Sequence, residues 1–161
     1  MVGPFQKARN TFMAAVLRGT QSPRRISFSV AVGVFWGVTP FWGLHTLLAV
    51  LSAFLLRLNT PAVLFGTLVS NPWFAPFLIF VSLEFGSWIL YQEGALLSLK
   101  EIRGLVQAPN WPSVYREILL PYFWGSLSLS FLLAFCSFWI CWWIARAYRA
   151  SQSRGPPAGL W

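Results

Sequence analysis

One histidine, one acid set in apolar sequence and two short strings that interrupt apolar sequence hold most of this chain's capacity for chemistry. They are His45, Glu84, Thr39-Pro40-Phe41-Trp42-Gly43 and Ser70-Asn71-Pro72-Trp73-Phe74-Ala75-Pro76. A neutral imidazole donates to a ligand oxygen or passes a proton near pH 7. The alternative for His45 is a core residue bonded to a carbonyl that a helix break exposes. An ionised acid at the bilayer centre costs on the order of 3 kcal/mol on insertion scales. Glu84 is therefore protonated, paired with His45 or Arg57, part of a proton path, or snorkelling to headgroups near Trp88 and Tyr91. At helical spacing Ser52 shares the face of His45, and Ser87 and Tyr91 share that of Glu84.

A helix that starts inside a bilayer aims partial positive charge and several free N–H groups at its first turn. Starts at Pro40 and Pro72, capped by Thr39 and Asn71, form a paired site for an anionic phosphate or carboxylate. The plainer reading is that Thr39 and Asn71 only cap and the breaks only pack. In Arg57-Leu58-Asn59-Thr60-Pro61, Arg57 suits the negative end of one helix, Asn59 closes it and Thr60 opens the next. The sharper reading has Arg57 gripping a lipid phosphate. Cys136 and Cys141 diverge on one helix, and no zinc set, catalytic triad, phosphate loop or dinucleotide fingerprint is present. No catalytic residue, cofactor or metal is expected, and the chain does not read as an enzyme.

The elements that must place these residues belong to a membrane protein. Of 161 residues, 57% are hydrophobic and 10% charged, with mean hydropathy +0.60. The net charge of +8 gathers in flanks of apolar blocks, at Lys7, Arg9, Arg18, Arg24 and Arg25 and again at Arg146, Arg149 and Arg154. That placement fits anionic lipid headgroups and the positive-inside rule, not nucleic acid.

Ser22-Pro23, Thr39-Pro40, Thr60-Pro61 and Asn71-Pro72 each set a capping side chain before a proline, which loses nothing at a first helical position. The expected fold is an all-α integral membrane protein. Two proline-broken helix-break-helix units, residues 23–57 and 61–91, are followed by a polar loop, 92–118, and a transmembrane helix, 119–145. Within the units the expected helices are 23–38, 40–57, 61–70 and either 72–91 or 76–91. Thirty-two residues separate Pro40 from Pro72, a weak internal repeat of the transporter kind. Residues 1–22 form a basic segment, an interfacial helix or a disordered start, and 147–161 a basic tail.

Continuous helix over residues 23–57 would be about 52 Å long, against a hydrocarbon core of roughly 30 Å. Both termini are basic and the polar loop is neutral, so both termini are expected in the cytoplasm. The simplest solution makes the first unit re-entrant, the second a broken crossing and the last helix the return. Four full crossings also satisfy the charges.

The run Ala31-x-Gly33-x-Phe35-x-x-x-Thr39-Pro40-x-x-Gly43-x-His45, then Arg57-x-Asn59, then Asn71-Pro72-x-x-x-Pro76, resembles a bacterial membrane-protein family catalogued only as a domain of unknown function, number two-zero-six-two. These motifs cover residues 24–90. The resemblance implies a small integral protein of the bacterial cytoplasmic (inner) membrane and no specific activity. The chain departs from the pattern at Phe74, where many relatives carry threonine. The leading expectation is a carrier or lipid-handling protein that binds an anionic headgroup or solute at the paired breaks. The alternative is a structural or assembly subunit of a larger membrane complex, or a homo-oligomer, given ten tryptophans and fifteen phenylalanines.

Overall fold

The computed structural model describes residues 22–41, 43–71, 73–92 and 111–152. Among them every regular element is a helix and no strand is present. Trp42, Pro72, residues 1–21, most of the expected polar loop and residues 153–161 of the basic tail lie outside the described residues, and α5 runs on through the first part of that tail to Gln152. The helices are α1 (Pro23–Val38), α2 (His45–Leu55), α3 (Thr60–Thr67), α4 (Ala75–Tyr91) and α5 (Leu120–Gln152). A tight turn, Leu68–Ser70, extends α3.

The start of α1 is as the sequence suggests: the Ser22 hydroxyl accepts the Arg25 N–H at 3.4 Å, with Pro23 in the first turn. The other starts move. Helix α2 begins at His45, not Pro40. Pro40 holds Thr39 extended, at φ −60° and ψ 151°, and a turn intervenes in which Phe41 C=O accepts the N–H groups of Leu44 and His45. Gly43 in that turn has φ +81°, a conformation that glycine adopts without strain. Helix α4 begins at Ala75, one residue before the later of its two expected starts, because Asn71 C=O closes a turn on Phe74 and Ala75. Asn59 rather than Thr60 caps α3, its side chain accepting the Ala62 N–H at 3.1 Å. Helix also invades the expected polar loop, since Trp111–Val114 and a wide turn, Tyr115–Leu119, lead into α5. The wide winding precedes Pro121, whose ring opposes the carbonyl four residues back.

Small residues set the packing. Helices α1 and α3 run parallel and cross at glycines. A Cβ on Gly33 would lie 1.9 Å from the Val63 carbonyl oxygen, and one on Gly66 would lie 2.3 Å from that of Val30. The two helices thus use the same Val-x-x-Gly step against each other. Helices α4 and α5 run antiparallel, with Gly86 on Pro121, Gly125 on Ser82, and the Tyr91 hydroxyl donating to Arg116 C=O at 2.8 Å. Helix α2 folds back along α1. The Trp36 indole N–H donates to the Ser52 hydroxyl at 2.9 Å, and the Arg25 guanidinium donates to the Arg57 carbonyl.

Helix α5 joins the two halves. Its beginning lies on α4, and its later part lies antiparallel on α1, through Leu129 against Val34 and Val38 and Ala145 against Ile26. Buried serines satisfy themselves within their own helices. Ser126 donates to Tyr122 C=O and Ser130 to Ser126 C=O, each at 2.6 Å.

The large apolar side chains face outward. Trp73 is 88% exposed and Phe54 80%, with Phe77, Phe80, Phe131 and Phe135 also exposed. Small residues inside and aromatics outside is the pattern of helices that pack without a hydrophobic drive between them. The continuous helical stretch Trp111–Ala150, 40 residues, is long and apolar enough to cross a membrane. The α3–α4 pair passes the same test if its 77° bend is taken as one span. Gly33→Ala and Gly86→Ala are expected to destabilise by about 1–3 kcal/mol or to abolish folding. Thermal unfolding of the detergent-purified chain tests this, and an unchanged midpoint would refute the crossings.

Candidate functional site

The parallel course of α1 and α3 carries both breaks to one level, beside the early part of α5. There they enclose a cavity of about 40 Å³, lined by Thr39, His45, Ser70, Ser82 and Tyr122 among small and aliphatic residues. Roughly 10–15 Å³ admits one water, so about three water-sized groups fit.

The backbone polarity there is mixed. Gly37, Val38, Thr39 and Ser70 bring the C-terminal ends of α1 and the α3 turn, whereas His45 and Ala75 bring the N-terminal ends of α2 and α4. Opposed partial charges of about half a unit at each end leave a site that offers both donors and acceptors.

The residues singled out by sequence take different places. Thr39 is buried, and its hydroxyl donates to Trp36 C=O at 2.7 Å, so it ties off α1 instead of capping α2. Pro40 is half-buried and does not line the cavity. His45 lines the cavity and is half-buried. Asn71 is exposed, and its side chain accepts the Trp73 N–H at 3.3 Å within its own turn. Pro72 lies outside the described residues.

Glu84 is set apart from the cavity, one carboxylate oxygen buried with no hydrogen-bond partner. Among the described residues no ion pair joins it to His45 or Arg57. Arg57 and Asn59 lie at the far end of the α1/α2 hairpin. Arg57 closes α2 in a left-handed conformation, φ 51°, and Asn59 N–H donates to the Ser29 hydroxyl at 3.1 Å.

Two cavity residues, Ser82 and Tyr122, escaped the sequence reading, and Ser70 entered it only as the first residue of the second string. Ser70 and Ser82 look like ordinary small residues, although Ser82 stands one turn before Gly86 on the face that meets α5. Tyr122 reads as an interfacial anchor near the end of an apolar block, yet it lines the cavity. The unexpected helix before it places it well inside the long helix.

Short helices packed on small residues, broken twice around one cavity and backed by a long apolar helix, define a small all-helical protein of membrane-compatible build. The chain belongs to the family described as "Uncharacterized protein conserved in bacteria (DUF2062)", whose family model matches residues 7–154. The match reaches far beyond the motif-bearing residues 24–90. No curated protein and no solved structure matches the chain.

Replacing the Glu84 carboxyl group should cost no stability, because an unpartnered buried oxygen already carries a penalty of about 1–3 kcal/mol. Glu84→Gln is expected to unfold at the same temperature as the wild type or a few degrees higher. A clear fall in the midpoint would mean that the carboxylate holds the fold together.

Proposed function

We propose that this is a carrier-type protein of the bacterial inner membrane that holds a small polar or anionic solute where its two breaks meet. The observation that supports this most is the convergence of both breaks on one cavity bearing His45, Ser70, Ser82 and Tyr122. In hydrocarbon, broken helix is tolerated where it is buried in protein or lines a polar cavity. The size favours a solute or a single phosphate- or carboxylate-sized group over a whole lipid headgroup. His45 is the group suited to exchange a proton with such a solute. No catalytic role is proposed.

In this reading α1 and α2 form a re-entrant hairpin, α3 and α4 a broken crossing, and α5 the return, with both termini in the cytoplasm. Arg24, Arg25, Arg57, Arg146 and Arg149 then sit in the cytoplasmic headgroup layer, where anionic lipids favour them. Exposed aromatics on one row of α5, at Phe131, Phe135 and Trp139, favour a second reading in which the chain is a subunit or homo-oligomer docked through that row. Migration as a lone monomer in mild detergent counts against it.

The site is tested by thermal shift of the purified chain against a panel of small anions and polar solutes. A ligand at a hundred times its Kd stabilises by about 2.7 kcal/mol. At least one member should raise the midpoint of the wild type and leave His45→Ala unmoved; a silent panel, or shifts equal in both, removes the carrier reading. Topology is tested by replacing Cys136 and Cys141 and labelling single cysteines in intact inner-membrane spheroplasts with an impermeant maleimide. Gln92→Cys should label and Leu56→Cys should not; labelling of both would put the hairpin end outside.

A further inference from the structure

The end of the molecule where α2 closes gathers five arginines and none of the described acids. Arg24 and Arg25 open α1, Arg57 follows α2, and Arg146 and Arg149 lie in the part of α5 that packs near Ile26. The described acids, Glu84 and Glu117, are elsewhere, on α4 and in the turn before α5. The Arg25 side chain reaches the Arg57 backbone, which draws two arginines together. Helices α1 and α3 start at this end with the positive ends of their dipoles, whereas α2 and α5 finish there, their negative ends beside Arg57 and Arg149.

Arg57 itself stands in an unusual place. The N–H of Leu58 bonds to Ala53 C=O at 2.8 Å and that of Arg57 to Phe54 C=O at 3.2 Å, a helix ending whose left-handed residue is most often glycine. The exposed arginine side chain is therefore kept where the backbone would prefer none. Beside it lies a groove of about 480 Å³ walled by Phe54, Leu55, Leu58 and Thr60, with Phe54 and Leu55 largely exposed.

We propose that Arg57 and this groove bind an anionic phospholipid, the guanidinium on the phosphate and an acyl chain along Phe54 and Leu55. Charge complementarity selects an anion, and the apolar wall selects one that carries a hydrocarbon chain. The inference rests on the membrane placement but not on the carrier reading.

The test uses the full chain, delipidated in detergent and titrated with phosphatidylglycerol, phosphatidylcholine or inorganic phosphate by native mass spectrometry. The wild type should prefer phosphatidylglycerol over phosphatidylcholine about tenfold, and inorganic phosphate should not compete at matched concentration. Arg57→Gly should lose that preference while melting no lower than the wild type, because glycine suits the left-handed backbone. Arg57→Asn, which also tolerates that backbone, should show the same loss, and Arg146→Gln should keep the preference. Retained preference in both Arg57 variants overturns the site, as does an equal loss in Arg146→Gln or effective competition by phosphate. None of these outcomes touches the His45-dependent thermal shift, so the two readings fail separately.

Discussion

Direct backbone contact at two pairs of glycines governs where everything else in this protein can be. Gly33 against Gly66 and Gly86 against Gly125 leave no room for a single added carbon, so each pair fixes both the separation and the register of its helices. The first pair makes α1 and α3 parallel and carries both breaks to one level. The second holds α4 on the early part of α5 and so brings Ser82 and Tyr122 to the same level. The cavity is what remains between two tightly docked pairs. Its lining is a by-product of register, which is why it mixes residues from four helices and the turns between them.

The polarity of the breaks follows from the same arrangement. Proline in the second position of Thr39-Pro40 terminates a helix, because it holds the preceding residue extended. Here a turn intervenes before the next helix begins. Each break therefore presents one helix end of either sign, and a site between two such breaks is balanced instead of uniformly positive. A ligand that both donates and accepts hydrogen bonds suits it better than a bare anion held by two helix starts. The concentrated positive charge lies at the other end of α1 and α3, among the arginines.

Local signals in the sequence translated well where one residue decides the outcome. Ser22-Pro23 marks the start of α1, Val38 its end and Tyr91 the end of α4, because capping and proline sterics act within a turn. Asn71-Pro72 and Thr39-Pro40 mark the breaks but not the restarts, since those depend on which carbonyl closes the following turn, Phe41 in one case and Asn71 in the other. His45 is legible as the single histidine beside a break. Ser70, Ser82 and Tyr122 are not legible as cavity residues, because their places depend on the register set where Gly66 meets Gly33 and Gly86 meets Gly125. Glu84 stood out as an acid in apolar sequence and remains unusual in the fold, although it is separate from the cavity that His45 lines.

The unequal lengths of the two breaks carry a consequence for the path of the chain. In the first, an extended Thr39-Pro40 precedes the turn, and the chain reverses along α1; in the second, the turn starts at Asn71 itself, and the chain only bends, by 77°. Two copies of one motif thus differ in parity: one returns the chain to the arginine end and the other delivers it to the opposite end. Equal breaks would have returned it twice, leaving α5 to start among the arginines and run parallel to α1. A difference of two residues in a turn is enough to decide which way the longest helix points.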